Sequence, residues 1–403
     1  MTEQLKLKLN DSKATRWGAL VIVAFTMMAA YYVNDVVAPL KTMLETDLAW
    51  SSTDFGFFTG GYSFLNVFFL MLIWGGLILD RFGIRFTGKL ATILMVGGTA
   101  LEYYAMTGLA GADATLFGIN EIFGYKTGVF VAFAGYSIFG VGAEVAGITV
   151  SKIIAKWFKG KELATAMGVQ VALARIGSQA GYAVAIPLAR AFGISTPVLL
   201  GLVLLLGGMI AFFIFAVMDK KLDKQMEAAA IAAGTEDEEE KFSFKDVKNI
   251  LVNPGFWLIA LLCVLFYSCV FPFQKFASEL MIIKYGINEN VAGTFAGLPA
   301  LGALILTPVF GGFIDKRGKS ASIMLLGSAM LICVHFIYAI PDINYWLVAI
   351  VLMIILGIAF SLVPSAMWPA VAKIFPVSQL GTAYALIFFI QNIGLWGIPT
   401  LIG

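Results

Sequence analysis

The chain has 403 residues, 60% of them hydrophobic and 13% charged, with a mean hydropathy of +0.89 and a net charge of +2. Soluble domains carry about 25% charged residues, so the composition excludes a soluble or disordered protein, and the near-neutral balance implies no nucleic-acid partner. Its apolar stretches are long enough for a ~30 Å hydrocarbon core, which needs about 20 helical residues each, so an all-α membrane bundle is expected and a barrel is not.

The N-terminal MTEQLKLKLNDSKATRW is polar and basic and lacks a small-residue cleavage site, so it reads as a cytosolic tail rather than a signal peptide. Length and breakers predict eleven spans, at 17–40, 54–79, 86–108, 128–150, 164–189, 195–217, 255–280, 292–314, 320–340, 345–364 and 381–402. With the N-terminus inside, 21 of the 27 Lys and Arg fall on the cytosolic side. Outside stand Lys41, Lys126, Arg190, Lys275 and Lys284, which leaves Arg175 alone within the membrane. The expected location is the inner cell membrane, with lipid as the surrounding partner.

Residues 218–250 are the one long polar segment, and MEAAAIAAGTEDEEEK within it reads as a solvated linker. They separate an N-terminal half, 1–217, from a C-terminal half, 251–403. The following FSFKDVKNILVNP has basic and apolar positions at helical spacing; a membrane-surface helix and a cytosolic helix are equal readings. The halves repeat. Gly76, Asp80, Arg81, Gly83 and Arg85 follow predicted span 2, and Gly311, Asp315, Lys316, Gly318 and Lys319 follow predicted span 8, an offset of 235 positions. A duplicated six-helix unit explains this, and parallel repeats of that kind place a substrate site at the midplane between the halves. The motif's glycines suit close helix approach and a tight turn, and its cations hold the loops inside.

Glu144 and Arg175 stand out chemically. An ionised side chain at mid-bilayer costs ~2.5 to 3.5 kcal/mol on insertion scales, so such residues face a bundle interior and find a partner. Counted from Lys152 and Leu163, they lie ~12 Å and ~18 Å deep, a vertical offset near that of a dipeptide's two termini. Arg175 would clasp a carboxylate in bidentate fashion and Glu144 would accept from an ammonium. A structural ion pair between the two helices is the rival reading. Further candidates are Tyr62 with Asn66, Asp35 after Tyr31, Tyr267 beside the Phe271-Pro272-Phe273 break, Trp368, and Gln391 with Asn392. For Asn66 an interhelical hydrogen bond is an equal reading, and the break at Pro272 is as readily structural as a gate.

The cysteines Cys263, Cys269 and Cys333 all fall in predicted spans, so no disulfide framework is expected. His335 is a lone histidine in an apolar run and reads as a packed residue; no metal or cofactor is expected. The loop from Gly312 to Ser320 departs from a phosphate-binding loop in spacing and has no preceding strand, and G-x-S-x-G, H-E-x-x-H and C-x-x-C are absent, so an enzyme is not expected.

The paired motif resembles the signature of the major facilitator superfamily. WFKGKEL (157–163), ARIGS (174–178), VFPF (270–273), PVFGGFIDKRGK (308–319) and QLGTAYALIFFIQNIGL (379–395) are similar, in order and spacing, to its lysosomal dipeptide transporter branch and prokaryotic relatives. The resemblance implies a twelve-helix fold of two six-helix repeats that alternates between inward-open and outward-open states and moves dipeptides. It implies a site glutamate on predicted span 4 and a site arginine on span 5, matched by Glu144 and Arg175. The chain stops after span 11, so the twelfth helix is expected to be absent. Three functions stay open: a dipeptide carrier, a carrier of another small organic anion or amino acid, and a non-transporting membrane subunit associated with a partner. Proton coupling through Asp35 or Glu144 and facilitated diffusion are both compatible with these residues.

Overall fold

A computed structural model describes residues 8–111, 114–158, 161–233, 244–375 and 377–403. Helix starts follow local chemistry. The hydroxyl of Ser12 accepts from the Thr15 amide to open α1 (Lys13–Val36), and α2 (Lys41–Asp47) continues it. Ser51 and Asp54 exchange bonds in a capping box at the start of α3 (Ser52–Phe68). Leu70, at φ 54°, then bends the chain by 59° into α4 (Met71–Thr107), so predicted span 2 is two helices with a break.

Gly83 divides α4. Its φ of 75° reverses the chain between the second and third spans, where a side chain would be strained. After the short pair β1 (Glu121–Ile122) and β2 (Tyr125–Lys126) come α5 (Thr127–Trp157), α6 (Leu163–Phe192) and α7 (Thr196–Ala233). α8 (Phe244–Val252) precedes α9 (Pro254–Ile283), which is capped by Asn253 with proline in its first turn. α10 (Glu289–Ala296), α11 (Leu298–Arg317), α12 (Ser320–Ala339), α13 (Trp346–Ile374) and α14 (Val377–Ile402) complete the order.

Every predicted span is occupied by helix. Among the described residues, eight helices are long and apolar enough to cross a membrane, or nine with the bent pair counted as one span. The arm of α4 after Gly83 and α6 fall short of that test. In α6 the cause is its polar content, Gln170, Arg175, Ser178 and Gln179. Predicted span 6 ended at 217, but α7 runs on to Ala233, because MEAAAIAA is rich in strong helix formers. The rest of the expected linker, 234–243, lies outside the described residues.

Two large apolar clusters form, one drawn mainly from α1 and α3 to α7 and the other mainly from α9 to α14, with a small third one between α11, α12 and α13. They meet where α3 touches α14 and where α6 touches α10 and α11. We term the end of the bundle where α1 begins the basic end, and the opposite end the far end. The described polar links between the clusters gather at the far end. Lys41 contacts Glu279 at 2.5 Å, Lys275 contacts Asp35 at 3.2 Å, Arg190 pairs with Glu289, and Thr53 donates to the Gly403 carbonyl at 2.9 Å. At the basic end the described ion pairs stay within the first cluster's helices and the residues flanking them: Arg16 with Glu162, Lys161 with Asp11, and Arg85 and Lys156 with Asp219 and Asp223.

Lys275 requires a correction. It was counted among the outside cations, yet it sits within α9, nine-tenths buried, where Asp35 compensates its charge. Hydropathy averages over such a lysine, and only a partner from another helix makes its burial tolerable.

Candidate substrate site

Two glycines position the central pair. A Cβ on Gly140 would stand 2.0 Å from the Tyr62 carbonyl oxygen, so α5 and α3 touch backbone to backbone there. One turn further along α5, Glu144 Oε1 accepts from the Tyr62 hydroxyl at 3.1 Å. On α6, a Cβ at Gly177 would stand 2.1 Å from the Met28 carbonyl oxygen of α1. That approach brings Tyr31 beneath Arg175, whose guanidinium carbon lies 5.6 Å from the Tyr31 ring centroid. From the other cluster Phe360 comes closer, at 4.9 Å. Each such stacking contributes about 0.5 to 2 kcal/mol and leaves the guanidinium N–H groups free to donate in the ring plane.

Glu144 and Arg175 do not pair with each other. Among the described residues Arg175 has neither an ion pair nor a hydrogen bond, and both residues are partly exposed. Their depths also differ from expectation. α5 extends to Trp157, beyond the assumed boundary at Lys152, so Glu144 lies 13 residues from its helix end and Arg175 lies 12 from the start of α6. At 1.5 Å per residue these are ~20 Å and ~18 Å of helix, so the two residues stand at similar distances from the basic-end termini of their helices. Tyr31 stands within electrostatic reach of Arg175, Glu144 and Asp35, which makes these groups one constellation.

The other predicted residues divide. Trp368 Nε1 donates to the Tyr267 hydroxyl at 3.3 Å, Tyr267 stacks on Phe271 at 5.4 Å and meets Phe360 edge-on, and the Tyr384 hydroxyl donates to the Trp368 carbonyl. Through Phe360, this aromatic chain runs from Arg175 into the second half. Asp35 is committed to Lys275 and to the Asn34 side chain, and Lys275 also reaches the Tyr136 hydroxyl at 3.2 Å. Asn66, Gln391 and Asn392 point elsewhere. Asn66 donates to the Tyr62 carbonyl of its own helix and Asn392 to the Phe388 carbonyl, while Gln391 accepts from the Cys263 thiol at 3.4 Å in the α9–α14 packing. Of the three only Gln391 joins two helices, while the buried side-chain oxygens of Asn66 and Asn392 have no hydrogen-bond partner among the described residues.

Sequence reasoning missed Phe360, Lys275, Tyr136 and Glu102. An arginine without a nearby acid signalled an aromatic partner, and Lys275 and Glu102 carried a signal of their own as charges inside apolar stretches. His335 is packed, its ring nitrogens meeting the Leu331 and Cys269 carbonyls. Among the described residues no cluster of metal-ligating side chains occurs. A cavity of about 620 Å³ lies apart from the site, between α9, α12 and α14.

In the repeat motifs, Gly83 and Gly318 turn the chain at φ 75° and 67°, as the tight turn requires. Arg81 lies over the Phe82 ring, Arg85 binds Asp223 at 2.6 Å, Lys316 is exposed, and Lys319 sits at φ 57° before α12. Cβ atoms on Gly76 and Gly311 would meet nothing within 4 Å, so the close approach expected of these two glycines is not made in this conformation. The side chains of Asp80 and Asp315 lie outside the described residues.

The family model of the Major Facilitator Superfamily matches residues 20–397. The chain belongs to that superfamily. It is therefore a multi-pass integral membrane transporter and not an enzyme. It is 29% identical over 404 residues to the human lysosomal dipeptide transporter MFSD1, covering 97% of this chain and 80% of that protein. The MFSD1 of Danio rerio is 28% identical over 387 residues, 93% and 77% of the two chains. Among solved structures, a bacterial homolog of the human lysosomal transporter Spinster, inward-facing and unoccupied, matches with a TM-score of 0.65 at 16% identity over 96% and 82% of the chains. The xylose transporter XylE from E. coli, in an inward-open conformation, matches at 0.68 and 15% identity over 96% and 89%. At these identities the structures speak for the fold alone.

Proposed function

We propose that this transporter moves dipeptides by alternating access, with Arg175 binding the terminal carboxylate and Glu144 the terminal ammonium. The observation that carries the reading is that an acid and a guanidinium stand at similar distances along their helices, both within electrostatic reach of Tyr31 but not paired with each other. A zwitterion laid between them satisfies both, which a structural ion pair would not require. The relatives named as dipeptide transporters support the same chemistry. Tyr62 holds the Glu144 carboxylate, and Tyr31 and Phe360 hold the Arg175 plane, so the site is preorganised on rigid helices. Tyr267 and Trp368 extend it into the second half.

The basic end faces the cytosol in this reading, since the Lys and Arg excess lies there. The halves 1–217 and 251–403 rock about the site, and the repeat motifs with Asp80 and Asp315 bias the exchange of states. The far end is then the closed gate, held by Lys41–Glu279, Asp35–Lys275 and Arg190–Glu289.

Calorimetric titration of the parent and Glu144→Gln with a dipeptide and its N-acetylated form tests the assignment. Acetylation removes the ammonium, and parent affinity is expected to fall by about 1.5 to 3 kcal/mol, the strength of a hydrogen bond to a charged group. Glu144→Gln is expected to bind the free peptide weakly and to discriminate little. A coupling energy of zero between the two changes, in folded protein, rules out ammonium reading by Glu144.

A further inference from the structure

Glu102, in the arm of α4 after Gly83, plays no part in the site described above. It is fully buried, and neither carboxyl oxygen has a hydrogen-bond partner among the described residues. A carboxylate stripped of water and of donors does not stay ionised, and the cation within its electrostatic reach, Lys275, is already paired with Asp35. We infer that Glu102 is a proton-binding site linked to the Asp35–Lys275 contact: it holds a proton while the far end is closed and releases it when that end opens.

The surroundings of Glu102 connect it to the gate. Lys275 of α9 and Tyr136 of α5 lie within its electrostatic reach. Tyr136 donates to the Asn34 carbonyl at 2.8 Å and touches the Lys275 ammonium, so it sits between Glu102 and the contact that ties the two halves. α1 contributes Asp35 to the same network. α3 presents Asp54, at its far-end start, and Tyr62, which is bound to Glu144; α7 has no titratable side chain between Thr196 and Asp219; α14 has only Tyr384. On its own helix Glu102 is followed by Tyr103 and Tyr104. A second carboxylate that would share the proton directly is therefore absent from the described contacts.

Opening the far end takes Lys275 away from Asp35, Asn34 and Tyr136. Water then reaches the α4–α5 interface, Glu102 ionises, and its proton passes to water on the far side. The closed state thus carries one more proton than the open state. By linkage the closed-to-open ratio rises as pH falls, by up to about tenfold per pH unit. This inference needs no particular substrate, so it stands or falls separately from the dipeptide reading.

The test uses the full chain in lipid without substrate, its three cysteines replaced, and spin labels at Thr46→Cys and Asn344→Cys on opposite halves at the far end. The distance distribution in the parent is expected to shift toward the longer, open separation between about pH 5 and about pH 8. Glu102→Gln, permanently neutral, is expected to keep the closed distribution at both pH values. Identical distributions at the two pH values in the parent overturn the inference, as does a Glu102→Gln protein that titrates like the parent, which would place the proton on Asp35. Should Glu102→Gln fail to fold, Glu102→Asp keeps the acid but moves it, and the transition midpoint is expected to shift; an unmoved midpoint overturns the inference equally.

Discussion

At the scale of single residues, Arg175 concentrates the site's demands. Its guanidinium carbon lies 4.9 Å from the Phe360 ring centroid and 5.6 Å from that of Tyr31, and no acid competes for its N–H groups among the described residues. Lysine keeps the charge but loses both the fork and the stacking surface, so Arg175→Lys is expected to weaken dipeptide binding nearly as much as Arg175→Ala, by tenfold or more (about 1.5 to 3 kcal/mol). Calorimetric affinities of the two variants check this, and an Arg175→Lys protein with parental affinity rules out the bidentate clasp. Asp11 provides a case outside the membrane. The Lys161 ammonium at 2.6 Å and the Lys8 amide hold its carboxyl below the usual carboxylate range. A depressed acid stabilises its tether above its unfolded value, about pH 4, and loses that contribution as pH falls through the lower, folded value. Amide exchange over Leu9–Asp11 is accordingly expected to stay slow down to about pH 4 and to quicken below it, with Asp11→Asn fast throughout. The group is exposed, so the effect is small.

Among the elements, the glycines of α4 and α5 differ in what surrounds them. Gly140 has the Tyr62 carbonyl against it, whereas Gly76 has open space. Gly140→Val is expected to lower the melting temperature, since overpacking costs about 1 to 3 kcal/mol, and to pull Tyr62 off Glu144. Gly76→Val is expected to melt like the parent yet transport more slowly, because the Gly76 face of the arm meets nothing in this conformation and would be covered only when the basic end closes. Melting and uptake measured together separate the two. Equal loss of stability in both variants would mean that the arm is already packed in the resting protein. The bend at Leu70 and the reversal at Gly83 bear on the same arm, giving it two fixed joints.

For the whole molecule, the described ion pairs across the two halves lie at the far end. Asp35 and Lys275 are both about nine-tenths buried, so removing one leaves an uncompensated charge at a cost of about 3 to 5 kcal/mol in this state. Lys275→Gln is expected to shift the population toward the state open at the far end, and the swap Asp35→Lys with Lys275→Asp to restore part of the closed population. Spin-label distances across the far end read both. A swap that leaves the single-variant distribution unchanged would show that the contact does not hold the gate.

The sequence by itself determined the class, the helical stretches, the repeated loops and the placement of Glu144 and Arg175 within helices. These depend on hydropathy, charge and turn residues, which are local and add along the chain. It did not determine which faces those helices present to one another. Lys275 looked like an outside cation until Asp35, 240 positions away, came to meet it. Gln391 has the polarity of a site residue yet meets the Cys263 thiol in the α9–α14 packing, a contact set by rotation about each helix axis. Phe360 carries no charge to mark it, yet it lies closer to the Arg175 guanidinium than Tyr31 does. The span ends misled as well: α5 runs five residues past Lys152, which brings Glu144 and Arg175 to similar distances from the basic-end termini of their helices. Helix rotation and cross-helix pairing are settled by packing between segments hundreds of residues apart, where small residues such as Gly140 and Gly177 allow contact, and local patterning carries no record of which partner will be there.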